Sequence, residues 1–370
     1  MEELRTLFVE NAPASLMWAG LAIGVVFGAI VFRTNFCTMG SISDMLSFGD
    51  TRRFRAWLLA IAIAMIGTQA LNYTGVVDTS GSMYIGSTFT WVGHVLGGLM
   101  FGFGMVFSGG CASRNVARVG GGDLRALFTL IVMGLFAYMT IGGIFGVLRQ
   151  SAQQVMAVDM SSIGQETTDL GAAAGAAFGL EQPTGGMVLA LVLGLATIAI
   201  CFADKRFRTS MPNVLAGVGI GLCVIAGWAA TGLAFDEFAD TVVQPISLTF
   251  VRPSGDTLEW MQRSTAIGLP SFGVATIFGG IVGAFLTSLA MGRFRLQTFT
   301  DTNDTLRTLF GAALMGVGGV AALGCTVGQA MTGVSTLAVG SLLTFGAIIA
   351  GAVFGVRALE YQLTKEAEAA

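Results

Sequence analysis

Charged side chains are scarce in this sequence, 11 % of 370 residues, where a water-soluble globular domain carries about a quarter. With 54 % hydrophobic residues and 53 glycines, the deficit excludes such a domain and points to a chain that lives in lipid. His94 is the single histidine, no two of the five cysteines are spaced C-x-x-C, and no P-loop is present. No redox or metal motif of that spacing is therefore offered, and no site for ATP hydrolysis, and no cofactor is expected. No basic stripe suggests nucleic acid. Acidic residues are missing from the apolar runs, since every Asp and Glu falls in a loop or at the end of a run. An intramembrane carboxylate is the usual proton or sodium relay, so ion-coupled pumping is disfavoured and passage is expected to run downhill.

What is present is a series of apolar runs long enough to cross a bilayer, about 17 to 25 residues each. They are read at 14–33, 56–73, 91–109, 124–148, 185–203, 213–232, 269–292, 306–323 and 336–356. The expected fold is thus an all-α polytopic membrane protein with about nine transmembrane helices, one transport domain without a separate soluble unit. Met1-Glu2-Glu3 supplies no basic leader, so the first run is kept as a span. Pro13 suits its first turn, and Gly20, Gly24 and Gly28 line one face for close packing. Placing the N-terminus outside puts fifteen of the nineteen Arg and Lys residues inside, Arg33, Arg114, Arg118, Arg293 and Arg357 among them, against Arg5, Arg149, Arg252 and Arg263 outside. That asymmetry fixes the orientation, with the C-terminus cytoplasmic. The segments 149–184 and 233–267 become outer loops; neither has enough apolar residues to enclose a core, and nothing in the second resembles a site.

One element occurs twice. Slid by 214 residues, Gly97, Gly102, Gly104, Val106, Gly110 and Cys111 fall on Gly311, Gly316, Gly318, Val320, Gly324 and Cys325. A looser relative, VFRTNFCTMGS, surrounds Cys37. All three share a grammar: an apolar approach, the thiol, a small residue, a short segment, then a break at Gly49-Asp50, at Gly120-Gly121-Gly122 or at Gly333. Asp123 and Ser335 are placed to cap the helices that follow. Eight helical residues cover only about 12 Å, so these are half-helices. Irregular backbone at membrane depth is tolerated only where it is buried in protein or lines a cavity. By the orientation above, Cys37 and Cys111 come from the cytoplasmic side and Cys325 from the outer side. The expected architecture is therefore an inverted internal repeat, with halves at about 14–148 and 213–356 and loops entering from both faces.

A half-helix that begins just past a thiol points its N–H groups at whatever sits by the sulfur, and Gly110 and Gly324 let that object approach the main chain. The ligand should be an anion. Neutral thiols are weak, polarizable donors, so Cys37, Cys111 and Cys325 suit a soft, sulfur-bearing anion, with Ser113, Asn115, Thr326 and Gln329 offering harder hydrogen bonds to its oxygens. Arg114 and Arg118 either draw the anion inward or are ordinary inner-side charges. Cys201 and Cys223 sit inside spans without this setting and read as small hydrophobes, and His94 reads as a packing residue. Approach from opposite faces argues against a structural disulfide between Cys111 and Cys325.

FCTMGSISD around Cys37, SGGCASRN around Cys111 and GCTVGQAMTGVSTLAVGSLL after Gly324 resemble the signature stretches of the YeeE/YedE membrane proteins, a sulfur-transport family whose characterised members take up thiosulfate. The resemblance covers the whole chain in span pattern. It implies an hourglass-shaped helical fold in the bacterial inner membrane, a relay of thiosulfate through three cysteines that fall on Cys37, Cys111 and Cys325, and a small TusA-like sulfur carrier as partner at the inner face. It implies no cofactor and no enzymatic activity. Two rivals stand beside it: a selenium-compound transporter of the same family, and a membrane thiol oxidoreductase or sulfurtransferase that forms a persulfide, for which Cys111 near Arg114 is the one hint.

Overall fold

The computed structural model describes residues 2–237 and 243–369; Met1, Ala370 and residues 238–242 of the expected loop 233–267 lie outside it. Its helices are α1 (Glu2–Glu10), α2 (Ala12–Thr34), α3 (Thr38–Phe48), α4 (Arg52–Tyr73), α5 (Trp91–Phe107), α6 (Ala112–Gly120), α7 (Leu124–Ile141) and α8 (Gly146–Val155). The second half of the chain adds α9 (Leu170–Phe178), α10 (Gln182–Ala203), α11 (Lys205–Arg208), α12 (Met211–Leu233), α13 (Val251–Ile267), α14 (Phe272–Ala290), α15 (Thr302–Ala321) and α16 (Val339–Ala369). A two-residue ladder, β1 (Thr88–Phe89) on β2 (Val158–Asp159), is the only sheet among the described residues.

Among those residues eight helical stretches, not nine, are long and apolar enough to cross a membrane. The expected span 306–323 is present as α15, but Asp304 and Arg307 in its first turns lower its apolarity. The expected span 124–148 stops at Ile141, where Gly142 caps α7, and the chain turns into the separate helix α8. Two of the eight stretches are broken: Ala12–Phe48 is interrupted before Cys37 and Trp91–Gly120 before Cys111. Pro13 lies in the first turn of α2, and Asp123 caps α7 by accepting from the Arg125 amide, as the sequence predicts. Ser335 does not cap α16; its hydroxyl donates to the Thr332 carbonyl and accepts from the Trp228 indole.

Glycine sets the packing. A Cβ at Gly24 would lie 2.5 Å from the Thr276 carbonyl oxygen, and one at Gly28 would fall on the Gly280 carbonyl, so α2 and α14 meet backbone to backbone. The two copies of the glycine element meet each other. A Cβ at Gly97 would stand 2.7 Å from Gly318 O and one at Gly318 2.6 Å from Gly97 O; for Gly104 and Gly311 the distances are 2.6 and 2.5 Å. The same reciprocity runs through the helix pairs: α2 lies on α14 and α12 on α4, while α5 lies on α16 and α15 on α7.

The segment 149–184 is more ordered than a plain connection. Asp169 caps α9, which packs on α10, and Thr168 and Leu170 bond backbone to backbone with Val339 and Leu337 at the start of α16. The segment 233–267 departs further from expectation. Ser247, Leu248, Thr249 and Phe250 are buried, and α13 follows them into contact with α7, α14 and α15.

Candidate functional site

Each of the three thiols stands at the start of a helix. Cys37 caps α3 and accepts from the Gly40 amide at 3.5 Å; Cys111 caps α6; Cys325 immediately precedes a helix from Thr326 to Ser335 and accepts from the Gly328 amide at 3.3 Å. That last helix contains a π-helical stretch, Gly328–Gly333, so Gly333 does not close it. A π-helix inside a short buried helix is a frequent mark of a functional segment. The turn before Cys111 uses Gly109 at φ 71° and Gly110 at φ 155°, conformations a side chain rarely tolerates. Before Cys325 the left-handed residue is Leu323, at φ 60°, and Gly324 is ordinary in φ. The two glycines that the repeat aligns thus do different things.

The fold brings the thiols together. The Cys37 and Cys111 side chains lie close to each other, and the Thr326 side chain comes close to Cys111 from the opposite half of the chain. Ser113 Oγ is 3.4 Å from Cys111 Sγ, and Thr249 Oγ1 is 4.0 Å from Cys325 Sγ. Cys111 and Cys325 are wholly buried and Cys37 nearly so, and all five cysteines are free. Cys201 and Cys223 lie apart; Cys201 donates to the Arg55 carbonyl and Cys223 is buried in α12.

The polar candidates divide into two sets. Asn115 is committed to the backbone, its amide donating to Gly110 O at 3.0 Å and Cys111 O at 3.2 Å while its oxygen accepts from Arg118. It holds the turn and offers little to a ligand. Arg114 leans over Gly110 and donates to Asn35 Oδ1 at 2.7 Å. Thr326 Oγ1 and Gln329 Oε1, by contrast, are buried without a hydrogen-bond partner, although the Gln329 amide donates to Ala322 O. So is Thr38 Oγ1, directly after Cys37, which sequence reasoning passed over. A buried polar atom left unpaired costs about 1 to 3 kcal/mol, and of the nine such atoms among the described residues these three lie within four residues of a thiol in the chain.

Two openings flank the thiols. At one end a cavity of about 190 Å³, lined by Met83, Arg149, Thr249, Arg252 and Leu323, reaches Gly324, beside a groove of about 600 Å³ that also takes in Asp256. At the other a cavity of about 310 Å³ is lined by Arg114 and Arg118 together with Arg125, Arg293 and Arg295. Near the first opening Tyr138 Oη lies 2.6 Å from Asp256 Oδ1 and 2.9 Å from Glu259 Oε2, and burial pushes the Asp256 carboxyl up from its ordinary value. The segment 233–267, read as a loop without site features, thus brings Thr249 to Cys325 and Asp256 to the groove, a placement that depends on a tertiary return that no local pattern announces. His94 is a packing residue as expected, bonded to Thr344 Oγ1 at 2.7 Å.

Membrane-length helices broken at buried thiols, with an opening toward each end, define a membrane transport protein. The model of the sulphur transport family matches residues 33–354, which include all three thiols, and the chain belongs to that family. The thiosulfate transporter TsuA of Spirochaeta thermophila is 28 % identical over 331 residues, covering 89 % of this chain and 94 % of its own length. The thiosulfate transporter TsuA of Escherichia coli is 30 % identical over 342 residues, covering 86 % and 87 %. The probable transporter YedE of Escherichia coli is 34 % identical over 110 residues, 29 % of this chain and 25 % of that one. The chain is a sulfur-compound transporter, and relatives named for transport bear out that reading against an enzyme.

Proposed function

We propose that this chain carries thiosulfate inward across the bacterial inner membrane, past Cys325, then Cys111 and Cys37. The observation that carries the reading is that three buried, free thiols stand at helix starts, followed within four residues by unpartnered side-chain oxygens on Thr38, Thr326 and Gln329. Thiosulfate has a soft terminal sulfur and three hard oxygens. The thiols suit the first, and the hydroxyls, Ser113 and the N–H groups at the helix starts suit the second. Each station replaces part of the anion's water, and several loosely binding stations let it leave again, as in channels. The names of the two TsuA relatives support the cargo.

The reciprocal glycine contacts support an inverted repeat, since an aligned pair of helices related by a two-fold axis would touch in this way. The distribution of arginines supports an outer N-terminus and an inward-facing Cys111. A TusA-like carrier is the expected receiver at the inner face.

The test is uptake of radiolabelled thiosulfate by cells that lack their own sulfate and thiosulfate importers. The intact chain should confer uptake, and Cys111→Ala and Cys325→Ala should each abolish it while expression and thermal unfolding stay unchanged. Normal uptake by both variants would sink the relay; no uptake by a well-expressed intact chain would sink the cargo.

A further inference from the structure

The arginines at the mouth beside Cys111 are not scattered over a surface but converge on one hollow. Arg114 and Arg118 reach it from α6, Arg125 from α7, and Arg293 and Arg295 from the segment after α14. That segment is stitched to the turn between α6 and α7: Arg295 N donates to Gly121 O at 3.1 Å, Gln297 N to Gly122 O at 3.0 Å, and Leu124 N to Gln297 O at 2.9 Å. In an extended segment residues two apart share a face, and Arg293 and Arg295 both line the cavity.

The charge there is not balanced. Asp123 is taken up by Arg118 at 2.7 Å and Arg125 at 3.3 Å, and Asp304 by Arg125 at 3.6 Å and Arg307 at 3.4 Å. Among the described residues Arg293 and Arg295 have no carboxylate partner. Guanidinium groups that crowd a concavity with low-dielectric walls repel one another and focus a positive potential into it. Their planar forks match the oxygens of a tetrahedral oxyanion.

We propose that this hollow is a second anion site, distinct from the thiols, which binds a small doubly charged oxyanion of the sulfate and thiosulfate kind through Arg293 and Arg295. It rests on the reading that a sulfur oxyanion passes Cys111, because Arg114, which lines the cavity, also packs on Gly110 directly before Cys111 and so joins the two places. A cargo that has left the thiols is then held at the mouth until it is taken away. Sulfate, which has no soft sulfur, should bind here as well as thiosulfate does, so the hollow adds affinity without adding discrimination.

The same oxygen chemistry is offered by the headgroup of an anionic lipid, and the experiment separates the two. Purified protein in nanodiscs of phosphatidylcholine, and in a second set containing phosphatidylglycerol, is titrated with sulfate, thiosulfate and chloride, following thermal unfolding and heat of binding. Sulfate and thiosulfate should bind and stabilise the intact chain and Cys111→Ala alike, with chloride far weaker. The double substitution Arg293→Gln, Arg295→Gln should weaken sulfate binding about tenfold or more, and Arg293→Lys with Arg295→Lys should recover part of it. Both positions are exposed, so these variants should fold. Unchanged sulfate binding in the double Gln variant overturns the proposal. So does stabilisation by anionic lipid alone with no response to free dianions, which would make the hollow a headgroup site. Uptake measured in parallel separates this proposal from the cargo: sulfate binding without thiosulfate uptake removes the cargo and leaves the site, while uptake without sulfate binding removes the site.

Discussion

Replacing Thr326 by valine should separate a ligand group from a structural one. The residue is fully buried and reaches Cys111, yet its hydroxyl has no hydrogen-bond partner within the protein. Valine has nearly the same shape and brings no unpaired polar atom. Burying an unpaired hydroxyl costs about 1 to 3 kcal/mol, so Thr326→Val should unfold at the same temperature as the intact chain or somewhat higher. Transport should move the other way. If the hydroxyl bonds to an oxygen of the anion, its loss removes a hydrogen bond to a charged group, about 1.5 to 3 kcal/mol. That corresponds to a rise of about 10- to 100-fold in half-saturating thiosulfate. The two readouts are thermal unfolding of the purified protein and the concentration dependence of uptake in cells without their own importers. Stability preserved with affinity lost is the expected pair. An unchanged half-saturation would refute the assignment, and so would a fall in both, which would make Thr326 a packing residue.

Other consequences are checked with the same tools. Gly110→Ala should be the harsher of the two aligned glycine substitutions, costing about 1 to 3 kcal/mol, because φ at Gly110 is 155°. A Cβ at Gly324 would meet the Gln329 side chain at 3.3 Å and the Gln329 and Gly328 backbone at 3.5 Å, so Gly324→Ala should unfold close to the intact chain. A larger loss at Gly324 would contradict the backbone geometry. Asp256→Asn should show the sign of a raised carboxyl. The folded state binds the proton more tightly than the unfolded chain, so ionising the buried group weakens the fold as pH rises through its raised value, and the penalty is absent below the ordinary carboxylate value. The variant should therefore gain unfolding temperature over the intact chain at pH 8 and lose that advantage near pH 4; an advantage independent of pH would point to another cause.

The thiols were legible in the sequence because their setting is local. A glycine-rich approach, a cysteine, a short segment and a break are neighbours in the chain, and each sets a backbone torsion or ends a helix without help from afar. The helix starts at Thr38, Ala112 and Thr326 follow directly. Thr249 and Phe250 were not legible, because what brings them to Cys325 is the return of a loop through the protein interior, and the run SLTF reads as any half-apolar stretch. The ninth helix, α15, is present but falls short in apolarity for a plain reason: it carries Asp304 and Arg307 where a lipid-facing helix would be apolar, and it lies between α5, α7 and α13. What Asn115 does in the fold was hidden as well, since its bonds to the Gly110 and Cys111 carbonyls, which tie down the turn before the thiol, are not written in the residues beside it.

The crossing of α5 and α15 is the same from either side: Gly97 sits on Gly318 as Gly311 sits on Gly104. What tells one face from the other is confined to a few attachments. Cys37 stands beside Cys111 on one side of the crossing, whereas the other side offers Cys325 the Thr249 hydroxyl and the Phe250 backbone, with the Phe250 ring stacked on Phe27 at 5.0 Å. Five arginines gather at one opening and two at the other. The two faces of the crossing thus differ in the side chains laid over it and not in how the helices meet, so substitutions there change what each mouth attracts, while the gradient of the solute sets the direction of a downhill passage.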